Sequence, residues 1–191
     1  MKNFYHELPS NYKEFKVIDA KNKKVIIYMQ LATLFLFLAS FLIILLLKPI
    51  DITMIRDDIF STLFFTMLGY FVYIVLHELV HGFWYKILTK QKLTFGLTLT
   101  VAFCGVPDIY VNKKTALLSI TGPLILFSVI LIPLLIILPP NSLYLSLLML
   151  FSFHISGCSG DIYGTIVMLK HKGDLLMNDT GPKQTFYELE V

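Results

Sequence analysis

Residues 73–85 read YIVLHELVHGFWY, and this stretch decides both the fold class and the chemistry that the sequence predicts. Within it, His77, Glu78 and His81 form an H-E-x-x-H motif. On a helix, positions i and i+4 lie on one face, so both imidazoles can reach the same Zn²⁺ ion. Glu78 stands beside them, where its carboxylate can take a proton from an attacking water molecule. Because ionisable side chains are costly inside an apolar helix, the motif indicates a functional site.

The apolar residues around the motif extend far enough to cross a membrane. Of the 191 residues, 56% are hydrophobic and 15% are charged, whereas soluble domains average roughly 45–50% apolar and about 25% charged residues. Four stretches reach the length of about 20 residues that a helix needs to span a bilayer. We therefore predict an all-α membrane protein with one polytopic domain, residues 1–191, whose spans lie at about 25–47, 59–88, 115–138 and 142–169.

Positive charges are distributed unequally between the two ends of these spans. The N-terminal segment, the connection between the second and third spans and the C-terminal tail carry fourteen of the 16 Lys and Arg residues. The opposite side has only Lys48 and Arg56. Because cytoplasmic loops are enriched in Lys and Arg, we expect both termini of this cell-membrane protein to be cytoplasmic. The expected partner of the Lys clusters is the lipid bilayer, and their dispersal argues against nucleic-acid binding.

Residues 94–111 read TFGLTLTVAFCGVPDIYV and differ in pattern from the apolar spans. Alternating Thr and apolar side chains predict a short membrane-associated β-hairpin between the second and third spans. Bare strands cannot face lipid, so this segment is either covered by membrane-embedded helices or a plain cytoplasmic hairpin. A strand edge near the motif could bind an extended substrate by strand addition. The two cysteines, Cys104 and Cys158, have no paired spacing and are expected to be buried free thiols.

A zinc hydrolase needs a third protein ligand besides the two histidines. The fourth span reads HISGCSGDIYG over residues 154–164 and contains two candidates, His154 and Asp161. Counting 1.5 Å per residue from the outer end of each span puts His77 and Asp161 at depths of about 26 and 27 Å, with His154 about 10 Å shallower. Depth therefore selects Asp161, although Gly157 and Gly160 could break the helix and alter the count.

Two other residues stay open as alternatives near the metal. His154 lies on the face of Asp161 at i−7, where it can be a catalytic group that stabilises an oxyanion, a support behind the ligands, or a core histidine bonded to a carbonyl. Asp108 is a competing ligand, and its other interpretation is a turn residue after Pro107. Two imidazoles and a carboxylate suit Zn²⁺, but they also suit iron or cobalt.

An H-E-x-x-H motif on one membrane helix with an Asp on a later one resembles the site-2 protease class of intramembrane zinc metalloproteases. The spacing and the signature His154-x-x-Gly157-Cys158-x-Gly160-Asp161 are most similar to the DUF3267 zincin peptidases, which are short bacterial membrane proteins. The resemblance covers the chain from the second span to the end of the fourth. It implies that His77 and His81 are zinc ligands, that Glu78 is the catalytic base and that Asp161 is the carboxylate ligand.

The favoured function is a zinc-dependent endopeptidase that hydrolyses peptide bonds within or next to the cytoplasmic side of the membrane. Its substrate would be a membrane protein or a peptide, including a soluble or lipid-modified one. The alternative is a non-catalytic metal-binding membrane protein, such as a sensor, a chaperone or a transporter component. Glu78 separates the two, because a pure binding site needs no base beside the metal. No sequence feature indicates the oligomeric state.

Overall fold

The computed structural model describes residues 2–50, 59–98 and 102–190. Three helices in these ranges are long and apolar enough to cross a membrane, and a pair of shorter helices makes a fourth span if the two are one broken span. These three or four candidate spans agree with the prediction of a multi-pass membrane protein. The helices are α1 (Lys23–Leu47), α2 (Ile59–Thr89), α3 (Lys113–Ile137), α4 (Ser142–Gly157) and α5 (Ser159–Lys170).

The fourth predicted span consists of α4 and α5, which are separated at Cys158. α4 begins after Asn141, whose side chain accepts a hydrogen bond from the Tyr144 N–H at 3.1 Å. Gly157 and Gly160 flank the break, and glycine has a low helix propensity. The predicted span 142–169 therefore corresponds to two helices. The break at Cys158 lies between Gly157 and Gly160, the two residues that predicted it.

The all-α prediction is correct only in part: the structure is mostly helical, but besides the predicted hairpin it contains a five-stranded antiparallel sheet. The strands are β1 (Phe4–Tyr5), β2 (Tyr12–Asp19), β3 (Thr94–Leu97), β4 (Ala102–Gly105), β5 (Tyr110–Asn112), β6 (Leu175–Asp179) and β7 (Lys183–Leu189). Five of them form the sheet, in the order β1-β5-β6-β7-β2. The edge strand β2 pairs with β7 from Tyr12 opposite Leu189 to Asp19 opposite Lys183. These two strands come from opposite ends of the sequence, and their Lys residues predicted only the membrane topology.

The predicted hairpin is formed by β3 and β4, which pair antiparallel with Phe95 opposite Cys104. Residues 99–101, which lie between β3 and β4 in the sequence, are outside the described residues, and so is the segment 51–58 with Arg56. Cys104 and Cys158 are both buried and neither forms a disulfide bond, as predicted. Both predicted locations of the hairpin, under membrane-embedded helices or in the cytoplasm, stay predictions.

The chain divides into two compact units. The first unit comprises Met1–Tyr28, Leu76–Pro123 and Gly160–Val191, and the second comprises Met29–Val75 and Leu124–Ser159. The seven strands of the described ranges all belong to the first unit, whose core joins the sheet to helix segments through buried side chains such as Tyr85, Met177 and Phe186. The second unit is helical, with a core that includes Leu131, Tyr144 and Leu148. The prediction of one domain stays a prediction.

In the second unit, the side chain of Lys48, which follows α1, contacts the C-terminal end of α3. Its Nζ donates hydrogen bonds to the Leu135 and Ile136 carbonyls, both at 3.1 Å, and to the Leu138 carbonyl. Carbonyls at a helix C-terminus lack helical partners and carry partial negative charge. Lys48→Met is therefore expected to lower the free energy of unfolding by about 1–2 kcal/mol. Thermal unfolding in detergent measures this, and an equal shift for the exposed Lys114→Met would contradict it.

Candidate metal centre

The two motif histidines project from one face of α2 into the interior of the first unit. His77 and His81 are each 7% exposed. They lie one helical turn apart, so their rings meet on the same face. Their Nε2 atoms are 3.1 Å apart. Two imidazole nitrogens therefore converge on one point.

Asp161, in the first turn of α5, completes a triangle of donor atoms with these histidines. Its Oδ2 lies 3.2 Å from His77 Nε2 and 3.4 Å from His81 Nε2. In a tetrahedral zinc site with bonds of about 2.0–2.1 Å, neighbouring ligand atoms are about 3.3 Å apart. The three observed separations thus match the edges of a tetrahedral ligand set.

Hydrogen bonding prepares His81 to act as a ligand. Its Nδ1 donates to the backbone carbonyl of Ser119 on α3 at 2.8 Å. A carbonyl can only accept, so Nδ1 carries the proton and the lone pair of neutral His81 is at Nε2. Asp161 Oδ2 is also buried, and no hydrogen-bond partner of good geometry satisfies it among the described residues. A buried carboxylate oxygen facing two imidazole nitrogens fits a bound cation.

Sequence reasoning did not identify Ser119. It contributes a main-chain oxygen, and a main-chain contact leaves no signature in residue type. Only the polar position itself, within the apolar run of α3, could have drawn attention to it.

Glu78 stands outside this triangle, between the histidines and the hairpin. Its carboxylate interacts electrostatically with His81, His77 and Asp161, and the backbone N–H of Cys104 on β4 lies next to it. Burial, and then the Glu78 and Asp179 carboxylates, raise the pKa of the Cys104 thiol to about 12. That thiol is therefore neutral at physiological pH and is a poor nucleophile.

The remaining predicted candidates lie elsewhere. His154 belongs to the second unit and is fully buried, with Nδ1 3.0 Å from the Tyr73 hydroxyl and Nε2 3.0 Å from Ser128 Oγ. Its catalytic role stays a prediction. Asp108 is exposed in the turn after Pro107, in agreement with its interpretation as a turn residue. The structure brings together His77, His81 and Asp161, with Glu78 beside them.

A second buried acid, which sequence reasoning missed, contacts α2, the helix that carries the H-E-x-x-H motif. Tyr85 follows His81 by one helical turn and is fully buried. Its hydroxyl donates to Asp179 Oδ2 on β6 at 2.7 Å, while the Gly181 N–H donates to Oδ1 at 2.9 Å. Asp179 is 3% exposed. The sequence does not indicate that Asp179 is buried, because it lies in a C-terminal segment rich in Lys, Asp and Glu.

The Asp179 carboxyl is expected to make stability depend on pH. Burial raises its pKa from 3.8 to about 6, although Tyr85 and Gly181 donate to it. The folded protein then holds this proton more tightly than the unfolded chain, so its contribution to stability falls as pH rises from about 4 to about 6 and is constant above that. About two pKa units correspond to about 3 kcal/mol.

Thermal unfolding of wild type and Asp179→Asn between pH 4 and pH 7 measures this effect. The stability of wild type relative to the Asn variant is expected to decrease over the interval in which Asp179 loses its proton. A difference between the two proteins that does not change with pH would contradict the expectation.

Comparison with known proteins identifies a family. No curated protein and no solved structure matches the chain. The DUF3267 family, described as "Putative zincin peptidase", matches residues 70–176. This segment is more than half of the chain and contains His77, Glu78, His81 and Asp161. The resemblance predicted from the motif is confirmed, and the chain belongs to the DUF3267 family.

Proposed function

We propose that this protein is a zinc-dependent membrane endopeptidase that hydrolyses peptide bonds within or next to the cytoplasmic side of the membrane. The observation that carries the proposal is the triangle of His77 Nε2, His81 Nε2 and Asp161 Oδ2, with sides of 3.1, 3.2 and 3.4 Å, beside the carboxylate of Glu78. Membership of a zincin peptidase family supports it. The apolar helices support a membrane location.

The chemistry divides between a metal ion and one side chain. His77, His81 and Asp161 would hold Zn²⁺, which supplies a Lewis acid that polarises a carbonyl and makes water acidic enough to lose a proton near neutral pH. Glu78 then serves as the base that accepts the proton from water and delivers it to the departing amine. The Ser119 carbonyl fixes the ring of His81 during these steps.

The hairpin offers a means of presenting a peptide to Glu78. Among the described residues, β3 pairs in its sheet only with β4, the strand whose Cys104 N–H lies next to the Glu78 carboxylate. An unpaired strand edge binds extended peptides through main-chain hydrogen bonds, whatever their side chains. We therefore propose that the substrate is an extended segment, either a locally unwound membrane helix or a tail that enters from the cytoplasm.

The Lys and Arg distribution underlies the proposed orientation. Fourteen of the 16 Lys and Arg residues lie in the N-terminal segment, the C-terminal tail and the connection between α2 and α3. Since positive residues are retained on the cytoplasmic side, both termini and the peptide-cleaving end of α2 are proposed to face the cytoplasm.

Metal removal and restoration test the proposed function. Full-length protein in detergent is incubated with a mixture of fluorescence-quenched peptides, then treated with a zinc chelator. We expect cleavage to stop and to return when Zn²⁺, but not Mg²⁺, is added in excess, because imidazole ligands prefer zinc. Cleavage that continues unchanged after complete removal of metal would contradict the proposal.

A further inference from the structure

The turn between β6 and β7 packs directly on the hairpin strand next to Glu78. Gly181 in this turn has φ +94°, and a side chain there would overlap the Phe103 ring on β4. A Cβ atom on Gly105 of β4 would lie 2.8 Å from the Asp179 carbonyl oxygen and would also overlap the backbone of the turn. Glycine is required at Gly181 by its positive φ and by the Phe103 ring, and at Gly105 by the backbone of the turn. The turn therefore packs directly on β4, with backbone against backbone at Gly105.

Asp179 ties this joint to the metal-binding helix through three hydrogen bonds. Its carbonyl accepts from the Val106 N–H at 2.8 Å, immediately after β4. Its carboxylate accepts from the Gly181 N–H at 2.9 Å and from the Tyr85 hydroxyl of α2 at 2.7 Å. One residue thus contacts the turn, the strand and the helix that carries the motif.

We propose that Asp179 is a positioning residue of the metal centre, which holds β4 against α2 so that the Cys104 N–H stays next to the Glu78 carboxylate. This inference rests on the proposed function. Two routes connect Asp179 to Glu78: one runs through Tyr85 along α2, and the other runs through Val106 along β4. If either contact is lost, β4 and α2 can separate, and the base loses the donor that orients its carboxylate.

The chemical nature of Asp179 supports a positioning role over simple packing. Burial disfavours its charged form and raises its pKa, so an ionised carboxylate here carries a cost in stability. A carboxylate nevertheless offers two oxygens in fixed directions, one for Tyr85 and one for Gly181. Residues that lower stability at a defined geometry are characteristic of functional sites. Asp179 also lies beyond the family-matched segment, which ends at residue 176.

Two single variants and their combination test the inference. Tyr85→Phe removes only the donor hydroxyl, and Asp179→Asn leaves one acceptor where there were two. The matched control is Thr180→Val, which removes a hydroxyl of the same turn that bonds the Lys183 carbonyl. The measurements are zinc per chain, kcat and KM on fluorescence-quenched peptides, and hydrogen exchange of the amides at 103–106.

We expect Tyr85→Phe and Asp179→Asn to lower kcat about tenfold to 100-fold, with KM changed less than about twofold and zinc retained, because a displaced base slows only the chemical step. Exchange at 103–106 should rise at least about tenfold in both variants and stay unchanged in Thr180→Val. The double variant should be no slower than the slower single variant, since both changes break one connection.

The results separate failure of this inference from failure of the proposed function. A wild-type protein that binds zinc but cleaves no peptide contradicts the proposed function and, with it, the catalytic part of the inference, while hydrogen exchange still tests the joint. Faster exchange with wild-type kcat would make Asp179 purely structural and overturn the inference. Unchanged exchange in both variants, or effects on kcat that add in the double variant, would overturn it as well.

Discussion

Glu78→Gln is expected to lower the rate of peptide hydrolysis by about 10²–10⁴-fold while leaving about one zinc ion per chain. The amide has nearly the shape of the carboxylate but cannot accept a proton from water. His77 Nε2, His81 Nε2 and Asp161 Oδ2 are separate from Glu78, so the donor triangle stays intact. The measurement compares cleavage of fluorescence-quenched peptides with metal content by mass spectrometry on the same samples.

Glu190→Gln is the matched control, because this exposed residue lies near the C-terminus, outside every strand and helix. It should retain full activity and full zinc. Hydrolysis that persists in Glu78→Gln would assign the base to another group. Zinc binding by a wild type that has no hydrolytic activity would instead favour the alternative of a metal-binding membrane sensor, chaperone or transporter component.

Asp161→Ala is expected to weaken zinc binding by about 100-fold or more, a larger loss than residues behind the ligands cause. In this variant only His77 Nε2 and His81 Nε2, 3.1 Å apart, remain of the three predicted ligand atoms. Two ligands hold Zn²⁺ far less tightly than three, and hydrolysis should fall to background. Zinc per chain after equilibration with a competing chelator measures the change.

Asp108→Ala provides the comparison for this experiment, since its carboxylate is exposed in a turn and should not affect zinc. Zinc that is retained in Asp161→Ala but lost in Asp108→Ala would make Asp108 the third ligand. Retention in both variants would return His154 to consideration as a ligand.

The donor triangle could be predicted from the sequence because its chemistry is encoded in residue type and spacing. His77 and His81 stand one helical turn apart, which places them on one face regardless of tertiary structure. Asp161 followed from depth, since spans that begin on the same side of a membrane bring residues of equal count to equal depth. The helix break at Cys158 did not prevent this result: the carboxylate of Asp161 lies against both histidines.

The sheet could not be predicted, because its pairing depends on contacts between distant parts of the chain. β2 and β7 stand at opposite ends of the sequence, and their strands carry Lys and Glu among the apolar residues. β1 has two residues, too few for any periodicity. The contact between Tyr85 and Asp179 depends on the same long-range pairing, so neither residue carried a local signal of its role.

The zinc environment in purified wild-type protein tests the central claim most directly. X-ray absorption at the zinc edge reports the type and distance of the atoms bound to the metal. We predict nitrogen and oxygen ligands at about 2.0–2.2 Å, with the outer-shell scattering of two imidazole rings. Sulfur scattering at about 2.3 Å, or protein that takes up no zinc when it is supplied, would contradict a centre built from His77, His81 and Asp161.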